Sequence, residues 1–268
     1  MSAPRFSCQL GVAAVGLVGP GLPDWARGRA ILAGATDYAR TPTALPMPAM
    51  FSASERRRAG RVLRLSAGAA WEAAGDDAGN LATVFTSSGS DGDNCHELCL
   101  SLATAERAVS PTRFMNSVHN AASGYFSLAT HSMRPTTALC AHDASFTAGL
   151  LEAAIQVSAT GEPVLLVAYD ADYPSPLREV RPIPDAFAVA LRLTPPGAAP
   201  ALATLSLSLA EAPPTRIGRS ALETLRTEIP AARALPLLEL LARAEEGSCS
   251  LEYLDPLHLQ AHVQPGAR

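Results

Sequence analysis

Apolar and polar positions along the chain switch between two periods, and the switches outline its elements. Residues 8–18 (CQLGVAAVGLV) are almost continuously apolar and predict a buried strand. Residues 20–52 carry many Pro and Gly and predict an extended connection with short helical pieces. Residues 52–75 (SASERRRAGRVLRLSAGAAWEAAG) predict a helix, with Ser54 as its N-cap and Gly75 as its stop. LATVFTSS (81–88) predicts a buried strand running into the turn SSGSDGD, and 94–107 a helix. Within 111–131, Phe114 and Met115, Val118, Ala121 and Ala122, Tyr125 and Phe126, and Ala129 recur at helical spacing. Asn116, Ser117, Asn120 and Ser123 fall between them. The expectation is one helix, apolar on one side and small and polar on another.

A strand at 136–141, a helix at about 144–159 and buried strands at 163–170 and 186–193 follow. Residues 201–211 alternate Leu205, Leu207 and Leu209 with Ser206 and Ser208, as a half-exposed strand should. A helix near 231–246 and a strand-like piece near 249–254 close the chain. Strands alternating with helices through the middle predict an α/β fold with a mainly parallel sheet.

Composition narrows the function classes. The chain has 268 residues, 48% hydrophobic and 17% charged, which gives it a real core and excludes disorder. A net charge of −4 argues against gripping nucleic acid. All 21 basic residues are arginine. Without lysine there is no Schiff-base lysine, no pyridoxal-phosphate chemistry of the usual kind and no P-loop. The arginines at 56, 57, 58, 61 and 64 make either a solvated face or a patch for an acidic partner.

Five cysteines, at 8, 95, 99, 140 and 249, are odd in number and irregular in spacing. They predict no disulfide framework, and a reducing cytoplasm is the expected location. Cys95, His96 and Cys99 cluster, but no second pair completes a tetrahedral zinc site, so helix packing is expected there and no metal. The apolar run at 8–18 superficially resembles a secretion leader. It is short, glycine-rich and followed by PGLPDW, so a buried strand fits it better. No run reaches the roughly 18 apolar residues a membrane span needs.

Residues 136–157 (TTALCAHDASFTAGLLEAAIQV) read as strand, sharp turn and helix, an arrangement that presents a nucleophile at a helix N-terminus. The cysteine, Cys140, falls inside the strand, and the residue at the turn is Asp143. A carboxylate there is stabilised by the helix dipole and can cap the helix, but it is a poor nucleophile toward a thioester.

Four stretches in this order resemble the N-terminal half of a β-ketoacyl synthase. They are ERRRAGRVLRLSAGAAWEAA, VFTSSGSDGD, PTRFMNSVHNAASGYFSLATHSMRPTTALCAHDASFTAGLLEAA and DAFAVALRL, and together they cover about residues 8–195. The resemblance implies half of a thiolase-like fold, with a mostly parallel five-stranded sheet and flanking helices. Residues 1–211 would form the half-domain, and 212–268 a helix and strand extension packed on it, over the face that a second half would cover. Two departures matter. Counting from Gly124, Pro135 and the helix, Asp143 falls where the family has its nucleophilic cysteine. Cys140 lies three residues earlier, a displacement of roughly 10 Å along a strand onto the opposite face, and is expected to be a small buried residue. The chain also lacks the family's later histidine motifs, since His258 and His262 lie in neither context.

Within the superfamily, the pattern resembles the shortened chain-length factors of aryl-polyene-type pathways. The resemblance implies a non-catalytic subunit, without cofactor, in a heterodimer with a full-length β-ketoacyl synthase fed by an acyl carrier protein. It implies that the strand at 136–141 pairs across the interface. It also places Arg113, Phe114, Met115, Asn116, Val118 and His119 at the interface or along the partner's acyl tunnel. Overpacking a tunnel floor costs about 1–3 kcal/mol, enough for a tenfold preference in chain length; the alternative for Phe114 and Met115 is ordinary core packing. A competing expectation is a stand-alone small acyltransferase or thioester hydrolase using Cys140, or Asp143 with His142.

Overall fold

The computed structural model describes residues 6–199 and 201–266. In chain order the strands and helices are β1 (Ser7–Val18), α1 (Trp25–Leu32), α2 (Ala53–Arg58), α3 (Arg61–Ala74), β2 (Ala82–Thr86), α4 (Gly92–Ala103), α5 (Pro111–Met115), α6 (Ala121–Ala129) and β3 (Thr136–Leu139). Then come α7 (Ser145–Thr160), β4 (Val164–Asp170), α8 (Leu177–Val180), β5 (Phe187–Thr194), β6 (Ala203–Ala210), α9 (Ser220–Glu228), α10 (Leu235–Arg243), β7 (Gly247–Leu254) and β8 (Leu257–Pro265).

The architecture is α/β with a single sheet of eight strands in the order β3-β2-β4-β5-β1-β6-β8-β7. The expected five-stranded, mostly parallel sheet is corrected on both counts. Only β3, β2 and β4 run parallel, joined through helices. From β4 onward each neighbouring pair is antiparallel. The tail supplies β7 and β8, and β8 pairs with β6, so the sheet continues past residue 211.

Period-two burial sorts side chains to the two faces. In β4, Val164, Leu166 and Ala168 enter one core while Leu165, Val167 and Tyr169 enter the other. Strand β1 keeps Leu10, Val12, Val15 and Leu17 on one face only because a bulge between Val12 and Ala14 adds the residue that resets parity. One face is covered by α3, which crosses β1, β5 and β4. At Gly16 an added Cβ would lie 2.0 Å from the Ala69 carbonyl, so a glycine sets how closely α3 approaches. The other face is covered by α7, α1, α10 and the 3₁₀ turn Pro230–Ala234, which packs on β4, β5 and α7. Fully buried Phe146, Leu237 and Leu238 each contribute about 2 kcal/mol there.

Local chemistry moved several boundaries. The helix expected over 52–75 breaks at Ala59 and Gly60, and its cap is Ser52. Ser52 and Glu55 form a reciprocal capping box, which Ser54 is not placed to make. The helix expected over 111–131 is interrupted at 116–120, where Ser117 turns its hydroxyl back onto the Phe114 carbonyl. Strand β8 and helix α9 were not foreseen. The run 231–246 divides into a 3₁₀ turn and α10, which ends at a left-handed Ala244.

Candidate functional site

The elbow lies at the C-terminal ends of the three parallel strands, the end of an α/β sheet where sites are built. Strand β3 stops at Leu139, and the chain reverses through a 3₁₀ turn, His142–Ala144, into α7. The residue in the left-handed region is His142, with φ +50. Ser145 ties the turn: its Oγ accepts from Ala141 N at 3.0 Å and donates to His142 O at 2.7 Å.

Asp143 therefore does not cap α7, contrary to expectation. Its side chain turns away from the helix amides and meets two arginines. Oδ1 accepts from Arg181 Nη2 at 2.6 Å and Oδ2 from Arg233 Nη2 at 3.0 Å. Burial pushes its pKa up, but the Arg181 hydrogen bond and the charges of Arg233 and Arg181 outweigh this and leave it below the usual carboxylate range. Arg181 also binds His142 Nε2 at 2.8 Å. A guanidinium can only donate, so Nε2 accepts and the ring proton sits on Nδ1, 3.5 Å from Asp143 Oδ1.

Cys140 is exposed, and its expected burial is corrected: it follows the last paired residue of β3, beyond the covered part of the sheet. Its Sγ donates to the Ser88 carbonyl at 3.1 Å, a partner that cannot take its proton. Cys95 and Cys99 are exposed too, so they do not pack α4 into the core. Among the described residues no group of three or more His, Cys, Asp or Glu is arranged to hold a metal.

Beneath the elbow, Asp170 ends β4 and is 2% exposed. Its Oδ1 accepts from Ser88 N at 2.8 Å and from Ser88 Oγ at 2.5 Å, while Oδ2 has no partner. Burial pushes its pKa up to about 6, against the lowering effects of Ser88, the Ala231 amide and Arg181. Two carboxyl groups thus flank the elbow with opposite shifts.

The residues expected at an interface lie apart from this cluster. Phe114, Met115 and Val118 are 70%, 49% and 52% exposed, so the core-packing alternative for Phe114 and Met115 does not hold. Arg113 pairs with Glu97 at 3.3 Å. Asn116 is buried, accepting from Tyr125 Oη at 3.1 Å. His119 is half-buried with an unpartnered Nε2. Beside them opens a cleft of about 400 Å³ lined by Arg57, Arg58, Arg61 and Arg113 together with Asp91 and Asp93. Arg56 and Arg64 instead bind carbonyls of the 45–51 segment, so the arginine run is divided between surface and brace.

Arg181, Arg233 and Asp170 were missed. A single acid closing the apolar run VLLVAYD was the available signal for Asp170. The two arginines reach Asp143 from 38 and 90 residues away, and nothing local marks them.

No helix among the described residues is long and apolar enough to cross a membrane. No curated protein matches the chain by sequence. In fold it is similar to the complex of the ketosynthase ApeO with its chain length factor ApeC from Xenorhabdus doucetiae, with TM-score 0.72 and 22% identity over 96% of this chain and 99% of that one. It is similar to the ishigamide ketosynthase/chain length factor, with TM-score 0.70 and 14% identity over 97% and 100%. It is also similar to the module 1 ketosynthase of the bacillaene synthase from Bacillus amyloliquefaciens, with TM-score 0.57 and 13% identity over 78% of this chain but only 47% of that one. The model of the β-ketoacyl synthase N-terminal domain matches residues 24–253, most of the chain. By that match, the chain belongs to the β-ketoacyl synthase family through its N-terminal domain.

Proposed function

We propose that the chain is a non-catalytic chain-length-factor subunit. It pairs with a full-length β-ketoacyl synthase and shapes that partner's acyl tunnel in cytoplasmic biosynthesis of the polyketide or fatty-acid-like, aryl polyene type. The observation that carries this reading is the elbow. Where the family resemblance places a thiolate, Asp143 presents a carboxylate already neutralised by two guanidinium groups. Such a group attacks no thioester, so the cysteine must come from another chain.

The fold comparisons support the reading. The likeness runs the whole length of chains from ketosynthase–chain length factor assemblies, and it stops at less than half of the bacillaene ketosynthase. The open edge of β3 and the outward side chains of Phe114, Met115 and Val118 form the partner face in this proposal. Phe114, Met115 and Val118 reach the tunnel, Arg113 and His119 line the interface, and Asn116 braces the turn that carries them. An acidic acyl carrier protein delivering chains to the complex meets Arg57, Arg58 and Arg61.

Co-expression with a full-length ketosynthase tests this. The expected outcome is a stable one-to-one complex that makes chains of defined length, while the subunit alone turns over no acyl thioester. Acyl transfer by the chain alone, lost in Cys140→Ser, would favour the stand-alone enzyme. Failure to form any complex would remove the subunit reading.

A further inference from the structure

The carboxylate at the elbow is the first rung of a longer ladder of charge. Arg233, which holds Asp143 Oδ2, uses its other terminal nitrogen to bind Glu252 Oε2 on β7. Glu252 Oε2 also accepts from Arg226 Nη1 at 3.3 Å. Arg226 in turn grips Glu223 through two nitrogens, at 2.8 and 2.7 Å. Arg181 joins from the other side of Asp143. Five segments are linked: the elbow, the stretch after α8, the 3₁₀ turn Pro230–Ala234, α9 and β7.

Exposed ion pairs of this kind usually contribute little. Here the central cations are withdrawn from water, Arg226 at 8% and Arg233 at 16% side-chain exposure. Removing one carboxylate leaves a partly buried guanidinium with one anionic partner in place of two, a larger loss than at an exposed pair. Glu223 also accepts from the Ile217 amide, so the ladder reaches the connection between β6 and α9. The turn Pro230–Ala234 lies over α7, β4 and β5, and Ala231 and Ala232 within it are at most 1% exposed.

We propose that Asp143 is a latch: the residue at the elbow holds the segment 220–234 closed over α7, with Arg233 and Glu252 as the linking rungs. The ion pair explains why an ionised group occupies a turn where a neutral residue would also be chemically inert. It also fixes a design constraint, because refilling the turn with another residue unlocks the tail. The proposal concerns this chain alone and does not depend on which partner it binds.

The test is amide hydrogen exchange on the full-length chain, comparing wild type with Asp143→Asn, Arg233→Gln, Glu252→Gln and the Asp143→Asn/Arg233→Gln double variant. Exchange in 226–236 is expected to quicken about tenfold in each single variant, equivalent to about 1.4 kcal/mol, while 82–86 and 164–170 keep wild-type protection. The double variant is expected to be no faster than the worse single one, the signature of a shared interaction. Glu162→Gln, which removes the Arg134 partner elsewhere on the surface, should leave 226–236 unchanged. Unchanged exchange in Asp143→Asn overturns the latch, as does full additivity in the double variant. If Asp143→Asn fails to fold, Glu252→Gln and Arg233→Gln decide: wild-type exchange in both would overturn it equally.

Discussion

The two edges of the sheet are finished in opposite ways. At one end, β7 is sealed by the chain's own connection. Thr215 N donates to Ser250 O at 2.9 Å, Ser250 N to Thr215 Oγ1 at 2.9 Å, and Ser250 Oγ to Ala212 O at 3.1 Å. At the other end, β3 is hydrogen-bonded to β2 and, among the described residues, to no further strand. Leu128 on α6, which packs against β3, and Met133 in the loop entering it are 67% and 96% exposed. Unpaired edges invite association, and proteins cover those they do not use. A chain that covers one edge and leaves the other bare fits the partner face proposed above.

Breaking the apolar patch of the proposed partner face should have the largest effect. Phe114→Asp with Val118→Asp is expected to weaken the heterodimer more than about 100-fold, since buried apolar anchors carry about 2 kcal/mol or more each. Calorimetric titration with the ketosynthase reads this out, and wild-type affinity would separate these side chains from the interface.

Next comes the buried acid at the C-terminal end of β4. Burial holds the Asp170 pKa up at about 6 in the folded chain, against about 3.9 for an unperturbed Asp in the unfolded one. The folded state therefore holds the extra proton between those values. Stability is greatest below about 4 for this group and falls by about 3 kcal/mol as pH rises past 6. Asp170→Asn should flatten that slope in urea melts at pH 4 to 7, because an amide oxygen still accepts from Ser88. An unchanged slope would mean that Asp170 is not the titrating group.

Unsealing the covered edge is expected to cost less. Thr215→Val removes the acceptor for Ser250 N and should lower stability by about 1–2 kcal/mol. It should also raise self-association in light scattering, because it loosens the cover on β7. Phe114→Ala or Met115→Ala should leave the unfolding free energy within about 0.5 kcal/mol of wild type, because both side chains are exposed. In the heterodimer each should lengthen the product, and an unchanged product distribution for both removes them from the tunnel. The smallest effect is expected at Leu254, exposed on the sealed edge: Leu254→Ser should alter neither dimer nor product.

The contrast between the edges was half legible in sequence. Residues 163–170 and 186–193 announce themselves because a strand buried on both faces is apolar throughout, whichever way it runs. Direction leaves no such trace, so the expectation of a mainly parallel sheet could not show that β5 pairs antiparallel with β4. The open edge was foreseen from the family resemblance of 136–141. The seal on β7 was not, because a single Thr215 in a proline-rich connection carries no periodicity. At the elbow, Asp143 is legible because one local strand, turn and helix place it. Its arginines were not, since a charge that folds back across tens of residues looks in sequence like any solvated one.

Strand β1 lies between β5 and β6, in the middle of the finished sheet. On the ribosome it emerges before both, and neither neighbour exists until residues 187–194 and then 203–210 have been made. At about 5–20 residues per second this leaves a twelve-residue apolar strand waiting for roughly ten to thirty seconds. Nascent chains of this protein should therefore depend on a chaperone acting early in synthesis, long before the sheet can close around β1.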